Sequence, residues 1–365
     1  MALFSNHWVK IFERQYRELT MGEEAENAET AGEVLSAADD EDAASEETDR
    51  SRLLSDENEA EEEAAGVSQR GKVVSRMISY ISNESLMGKS LKTGELRKKM
   101  KEPVWTVPEP FNMTSFEMDG FSMKMLSSKE NPDLDHVILQ LHGGGYMGAI
   151  RNAYYVFAGL YNEVSKGMNV LCPDYRVAPE NPYPAALDDA VASYKWLLTR
   201  GYKAENIVVA GDSAGGGLAM ALCMYLRDND LPMPGGLIAM SPWTDLTASG
   251  VSYEENFDKD PLYGGTKESL IYINAYPGDH DKTDPYISPA FGSFKNFPPM
   301  LIQVGSNEML LSDSEAVAAK ARDEGVKVRL HIYEGMFHVF QMAYTAIPES
   351  KKAWIEVGKF FEVLF

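Results

Sequence analysis

The pentapeptide Gly211-Asp212-Ser213-Ala214-Gly215 constrains this chain more than any other stretch, because of what flanks it. The apolar run Ile207-Val208-Val209-Ala210 before it has the length and composition of a buried strand, and the helix-prone stretch 218–226 follows. A serine at a strand-to-helix turn, with a glycine two residues away on each side, can be held in strained backbone that lifts its hydroxyl above the sheet. The same turn sets Ser213 at a helix N-terminus. Unpaired backbone N–H groups there, that of Ala214 among them, point at an oxygen on the carbon the serine attacks. A lone Gly-x-Ser-x-Gly string is common; the strand before and the helix after make Ser213 a candidate nucleophile.

A second glycine run strengthens that reading. His142-Gly143-Gly144-Gly145 directly follows the strand-like stretch 137–141, and its three adjacent glycines leave the backbone bare. Acyl transfer passes through a tetrahedral oxyanion, and losing one preorganised N–H donor to it typically costs about 3 kcal/mol. Gly143, Gly144 and Ala214 are the expected donors.

A serine hydroxyl needs a base, and the chain has six histidines. His7 lies in an N-terminal arm, His136 before a strand, His280 in a charged loop, His331 within a strand, and His142 opens the glycine run. His338 follows the last strand in the loop Gly335-Met336-Phe337-His338 and is the expected base. In the chain order serine, acid, histidine, a carboxylate should follow the strand Met300-Leu301-Ile302-Gln303-Val304. Glu308 and Asp313 both qualify. Glu308 stands nearer the strand exit and is preferred, while Asp313 falls where an amphipathic helix through Val317, Ala318 and Ala321 begins and suits a first-turn charge.

With these residues in place the chain resembles the hormone-sensitive-lipase-like branch of the α/β-hydrolase family, over about residues 103–365. The segments 173–180 (Pro-Asp-Tyr-Arg-Val-Ala-Pro-Glu), 183–190, 241–246 (Ser-Pro-Trp-Thr-Asp-Leu), 284–289 and 335–339 carry the resemblance beside the two glycine motifs. It implies an α/β-hydrolase fold, a mostly parallel central sheet flanked by helices with a helical cap over the active site. It also implies a serine carboxylic-ester hydrolase for short-acyl esters, using Ser213, Glu308 and His338 with no metal or organic cofactor and with the side chain of His142 in a structural role. Most family members carry Asp at the acid position, and this chain presents Gly305-Ser306-Asn307-Glu308 there. Tyr146 and Trp243 are placed to line the substrate pocket or, equally, to serve as core aromatics. Two other functions stay open: an inert small-molecule-binding module on the same fold, whose usual mark is a lost triad member, and an amidase or peptidase.

Strands are expected at 114–118 and 121–126, a hairpin around Asp119-Gly120, and at 136–141, 168–172, 206–210, 236–240, 299–304 and 327–332, with no internal repeat. Arg176, Glu180 and Asp189 are expected to form a charge network beside the serine turn. The stretch 247–283, with scattered charges, Gly264-Gly265 and several aromatics, reads as a cap insertion of short helices. The expected organisation is an amphipathic helix at 1–20, an acidic linker at 21–66, cap helices at 67–102 and the catalytic domain at 103–365.

The net charge of −22 is concentrated in the linker, where residues 21–65 hold eighteen carboxylates against Arg50 and Arg52 and account for −16 of it. That tract lacks aromatics and proline and has too little apolar surface to offset the entropy of ordering, so it is expected to be disordered. The charge disfavours a nucleic-acid partner. Ahead of it, Phe4, Trp8, Ile11, Phe12, Tyr16 and Leu19 recur at helical spacing among Lys10, Arg14 and Arg17. This arm is expected to pack on its own domain in preference to a membrane surface or a partner. Two cysteines, Cys172 and Cys223, read as buried thiols, and no stretch has signal-peptide or membrane-spanning character, which points to the cytoplasm. The expected partner is a small-molecule ester, and a homodimer is compatible with the pattern.

Overall fold

The computed structural model describes residues 66–81 and 104–365. The expected helix at 1–20, nearly all of the 21–66 linker and the helical piece near Thr93–Lys101 lie outside the described residues. The rest forms eight strands in one sheet, ordered β1-β2-β4-β3-β5-β6-β7-β8. They are β1 (Phe111–Glu117), β2 (Ser122–Ser128), β3 (Asp133–Leu141), β4 (Met168–Asp174), β5 (Ile207–Asp212), β6 (Gly236–Met240), β7 (Met300–Gly305) and β8 (Val328–Tyr333). From β4 to β8 all neighbours are parallel, whereas β1 and β2 pair antiparallel with each other and β2 pairs antiparallel with β4. Every expected strand is present.

Two strands begin earlier than the apolar pattern predicts. β3 reaches back to Asp133, which pairs with Met168, because an irregularity between Asp133 and Val137 keeps the register. The Asp133 side chain supports it by accepting from the N–H groups of Asp135 and His136 at 2.9 and 3.0 Å. β1 starts at Phe111 because the hairpin ladder runs on to the Phe111–Ser128 pair. The expected connection holds, with the Met118 N–H donating to the Phe121 carbonyl at 2.9 Å around Asp119-Gly120.

Strands β4, β5, β6 and β7 and the second half of β3 are buried on both faces because helices cover both, whereas the edge strand β8 is only partly buried. Val137, Leu139, Val209, Leu237, Ala239 and Ile302 face one core, where α3 (Ala185–Thr199), α4 (Ala214–Asp228) and α6 (Leu311–Asp323) pack. Ile138, Val208, Ala210, Ile238 and Leu301 face the other, against α2 (Asn152–Val164) and α7 (Pro348–Leu364). The period of two along these inner strands thus appears as an alternation between two buried cores rather than between core and solvent. Cys172 and Cys223 are free and buried, one in each core. Segment 247–283 contains one short helix, α5 (Ser252–Glu255), and turns, with no strand. Asp189 on α3 takes Arg176 through two nitrogens, with Nη2 to Oδ1 at 2.7 Å and Nε to Oδ2 at 3.0 Å, and also accepts the Arg176 N–H at 2.8 Å. This holds the loop after β4, whose Ala178 N–H bonds the Tyr146 carbonyl at 2.8 Å.

The described part of the 67–102 segment is α1 (Gln69–Ile81). Val67, Val74 and Ile78 pack on the small cluster of Tyr333, Met336, Phe337 and Phe340, the residues that flank His338. Ser68 fastens its start to Glu349 on α7, with its N–H donating at 2.7 Å and its hydroxyl at 3.0 Å. Its contacts are therefore with the loop that carries His338. Deleting residues 1–81 instead of 1–65 should remove about 2 kcal/mol of apolar burial and lower Tm by roughly 4–8 °C. Equal melting curves for the two truncations count against this role for α1.

Candidate active site

Ser213 occupies the turn between β5 and α4 with φ +53° and ψ −122°. A positive φ at a residue with a Cβ is sterically costly, by about 1–3 kcal/mol, and persists only where the surroundings over-determine it. Its N–H donates to the Met240 carbonyl at 2.9 Å, and its carbonyl accepts from Gly216 at 3.0 Å and from Trp243 at 2.9 Å. The two motif glycines are required by close approach rather than by flexibility. A Cβ on Gly211 would stand 2.2 Å from the Gly215 carbonyl oxygen, and one on Gly215 would stand 2.1 Å from that of Leu141. β3, β5 and α4 can meet only if both positions are bare.

Loops at the C-terminal ends of β5, β6, β7 and β8 converge above this turn. Ser213 Oγ lies 2.9 Å from His338 Nε2, and His338 Nδ1 lies 3.0 Å from Glu308 Oε2. A carboxylate only accepts, so Nδ1 carries the proton and Nε2 is left free to accept from the serine hydroxyl. The other Glu308 oxygen, Oε1, accepts from the Gly305 N–H at 2.5 Å and from the Ser241 hydroxyl at 2.7 Å. Ser241 Oγ in turn accepts the Val339 N–H at 3.0 Å, next to His338. Glu308 is fully buried, and Ser213 is only 4 % exposed.

Asp313, the other candidate acid, is engaged elsewhere. Its Oδ2 accepts the N–H groups of Thr244 and Asp245 at 2.7 and 2.8 Å, so it holds the loop after β6 from the first turn of α6. Burial pushes its carboxyl up to about 7, against the lowering effect of the Thr244 N–H.

In the glycine run the expected donors divide. The Gly143 N–H donates to Asp212 Oδ1 at 3.1 Å, so the expectation that it serves as an oxyanion donor is corrected. The N–H groups of Gly144, Gly145 and Ala214 have no acceptor among the described residues. The carboxyl of Asp212 is raised to about 7 by burial, partly offset by the nearby His338 and by the Gly143 and Tyr154 bonds. His142 lies beneath, stacked on Tyr175 at 4.0 Å, and Nδ1–H donates to the Gly143 carbonyl at 2.7 Å. Burial lowers its imidazole to about 4, so it stays neutral and serves as scaffold.

Tyr146 and Trp243 belong to the core. Tyr146 stacks on Tyr276 at 3.8 Å, and the Trp243 indole N–H donates to the Asp245 carbonyl at 3.2 Å. Four participants were not singled out from sequence: Asp212, Gly145, Ser241 and Tyr263. Asp212 and Gly145 lay inside the motifs already in view. Ser241 had a usable signal, a serine at the exit of β6 between the strands bearing Ser213 and Glu308. Tyr263 stands edge-on to the His338 ring, with centroids 4.9 Å apart. It had no signal beyond being one aromatic in an irregular stretch. Among the described residues no group of His, Cys, Asp and Glu is arranged to hold a metal ion, and no helix is long and apolar enough to cross a membrane.

Comparison with known proteins agrees with this geometry. The model of a family described as alpha/beta hydrolase fold matches residues 138–342. The chain belongs to the α/β-hydrolase family. It is 36 % identical over 233 residues to an esterase of Acinetobacter venetianus, an alignment covering 64 % of this chain and 76 % of that one. It is 37 % identical to an acetyl-hydrolase of Streptomyces hygroscopicus, covering 61 % and 74 %. Among solved structures, EstE5 soaked with p-nitrophenyl butyrate superposes with a TM-score of 0.73 at 34 % identity, covering 81 % of this chain and 99 % of that one. An esterase of the bacterial hormone-sensitive lipase family gives a TM-score of 0.72 at 30 % identity, covering 81 % and 98 %. This α/β hydrolase is therefore on the hormone-sensitive-lipase-like esterase branch.

The Asp313 environment makes a pH-dependent prediction. A carboxyl whose folded pKa is raised from about 4 to about 7 contributes stability that is fully present at low pH and is lost as pH rises through 7. Asn offers the same acceptor to Thr244 and Asp245 without the charge. Asp313→Asn should keep turnover within about threefold of the parent and show a smaller fall in Tm between pH 5 and pH 8. A collapse of turnover in this variant, with the fold intact, would overturn the assignment of Asp313 to scaffold.

Proposed function

We propose that this α/β hydrolase is a serine carboxylic-ester hydrolase for short-acyl esters, working through an acyl-serine intermediate. The observation that carries the reading is the unbroken hydrogen-bond chain Glu308–His338–Ser213, with links of 3.0 and 2.9 Å, set beside three unengaged N–H groups. The relative from Acinetobacter is named an esterase and the one from Streptomyces an acetyl-hydrolase, and a butyrate ester is the compound soaked into EstE5. These support a small-molecule ester with a short acyl group as the substrate.

In this reading Ser213 Oγ attacks the ester carbonyl carbon while its proton passes to His338 Nε2. The carbonyl oxygen becomes an anion and is received by the N–H groups of Gly144, Gly145 and Ala214. Glu308 holds the imidazole in the tautomer that can accept and stabilises the imidazolium. His338 then returns the proton to the alkoxy oxygen, the C–O bond breaks, and the alcohol leaves an acyl ester on Ser213. A water, deprotonated by the same Nε2, attacks that ester and releases the acid, regenerating the serine. Every proton has a donor and an acceptor within the triad, so the cycle requires no metal or organic cofactor.

An inert binding module usually lacks a triad member, and all three are present here in bonding contact, which favours the enzyme. The family domain with the 247–283 insertion makes up the catalytic unit in this proposal, with residues 1–65 as an appendage. Two free, buried thiols fit a reducing, cytoplasmic setting.

Ser213→Ala should abolish turnover of p-nitrophenyl butyrate. Glu308→Gln should lower kcat by about 10³–10⁵-fold with little loss of folding, because Gln can present an N–H to Nδ1 and reverse the tautomer. Rapid-quench mass spectrometry of the parent with excess ester should show one acyl group on the Ser213 peptide. Unchanged kcat in Glu308→Gln, or an acyl group on another residue, would defeat the mechanism.

A further inference from the structure

Three constraints meet at His338. Its Nδ1 faces Glu308 and its Nε2 faces Ser213, so the alkoxy oxygen it must protonate lies within hydrogen-bond reach of Nε2, on the imidazole side of the serine. The glycine-run donors take the carbonyl oxygen on the other side. The alcohol part of an ester therefore has to pass the imidazole, while the acyl chain extends elsewhere. The side chain placed against the imidazole is Tyr263, edge-on with centroids 4.9 Å apart and planes at 63°.

Tyr263 is held there by a dedicated framework. Asp260, itself buried, accepts the N–H groups of Leu262 and Tyr263 through Oδ1 at 2.8 and 3.1 Å. Its Oδ2 accepts the Met309 N–H at 2.8 Å, one residue beyond Glu308. Buried Asn256 donates to the carbonyls of Ser306 and Glu308 at 2.9 and 2.8 Å. The turn itself is closed by Gly264 and Gly265 N–H groups on the Asp260 and Phe257 carbonyls, at 3.1 and 2.8 Å. Two buried polar side chains of one insertion thus fasten the tyrosine to the backbone of the acid loop, a construction with no bearing on sheet packing.

We infer that Tyr263 is a specificity-determining residue that walls the alcohol side of the site and makes this chain selective for esters of small alcohols. The inference rests on the ester-hydrolase reading above and adds which half of the substrate is measured. A fused two-ring group on the alcohol oxygen, such as 1-naphthyl, meets the tyrosine, whereas an ethyl group or a single ring passes beside it. The acyl side is untouched by the same wall.

The test uses the full-length chain and four esters. Ethyl acetate and 1-naphthyl acetate vary the alcohol at constant acyl group, and p-nitrophenyl acetate and hexanoate vary the acyl group at constant alcohol. In Tyr263→Ala the ratio of kcat/KM for 1-naphthyl over ethyl acetate should rise about 10-fold or more, the range that a pocket wall commands. The hexanoate-to-acetate ratio should stay within about threefold of the parent. Tyr263→Leu, which retains an apolar side chain for packing, should move the alcohol ratio the same way by a smaller factor, and Tyr263→Phe should leave both ratios at the parent value. An unchanged alcohol ratio in the Ala and Leu variants, with melting curves showing both folded, overturns the inference and leaves the ester-hydrolase reading standing. A shift in the acyl ratio instead of the alcohol ratio overturns it equally. A parent protein that cleaves none of the four esters sinks the underlying reading and this inference together.

Discussion

The Glu308 carboxylate is the interaction on which the rest of the site depends. A fully buried carboxylate is costly unless its oxygens are paired, and here each is paired to a different part of the sheet. Oε1 binds the backbone at the exit of β7 and the hydroxyl of Ser241 at the exit of β6, while Oε2 binds the imidazole beyond β8. Ser241 then closes the ring by accepting the Val339 N–H. The burial that makes the charge expensive also strengthens each of these bonds, so the geometry that satisfies Glu308 is the geometry that aims His338 at Ser213. A neutral residue of the same shape would fill the space, but it would not hold the imidazole tautomer.

A second buried carboxylate, Asp212, organises the opposite wall. It engages the Gly143 N–H, while those of Gly144 and Gly145 find no acceptor among the described residues. Its neighbour Ser213 is strained at positive φ, and the chain offsets that strain through the backbone bonds from Met240, Gly216 and Trp243. Ser213, the glycine run and the Glu308 loop are thus tied by contacts among strand ends that lie far apart in sequence. The sheet brings them together by carrying each at the C-terminal end of its own strand.

The parts legible from sequence were those with local signatures. Ser213 was marked by a strand, two glycines and a helix within twenty residues, and His338 by elimination among six histidines and by its place after the last strand. The inner strands were legible because double burial leaves uninterrupted apolar runs, and β1 and β2 because Asp119-Gly120 marks the turn between them. What stayed hidden depends on pairs distant in sequence. Nothing around Gly143 announces that its N–H is taken by a carboxylate 69 residues on. Glu308 and Asp313 were separable only once Asp313 was seen to grip Thr244 and Asp245, again 69 and 68 residues away. Tyr263 lies in a segment with no periodicity, where a ring's position is set entirely by what the turn is fastened to.

That fastening bears on how such a site selects substrates. Covering segments in hydrolases are often thought of as flaps whose opening admits the substrate. Here Asn256 and Asp260 hold the backbone of residues 306–309, the same short loop whose Glu308 side chain orients the imidazole. Displacing the turn that bears Tyr263 would break three hydrogen bonds, two of them buried, and release the Glu308 loop at the same time. An open cover and an aligned triad are therefore competing states rather than successive ones. In the inferred arrangement, selection is by shape at a fixed wall, and a substrate reaches Ser213 by fitting the space that the wall leaves beside His338.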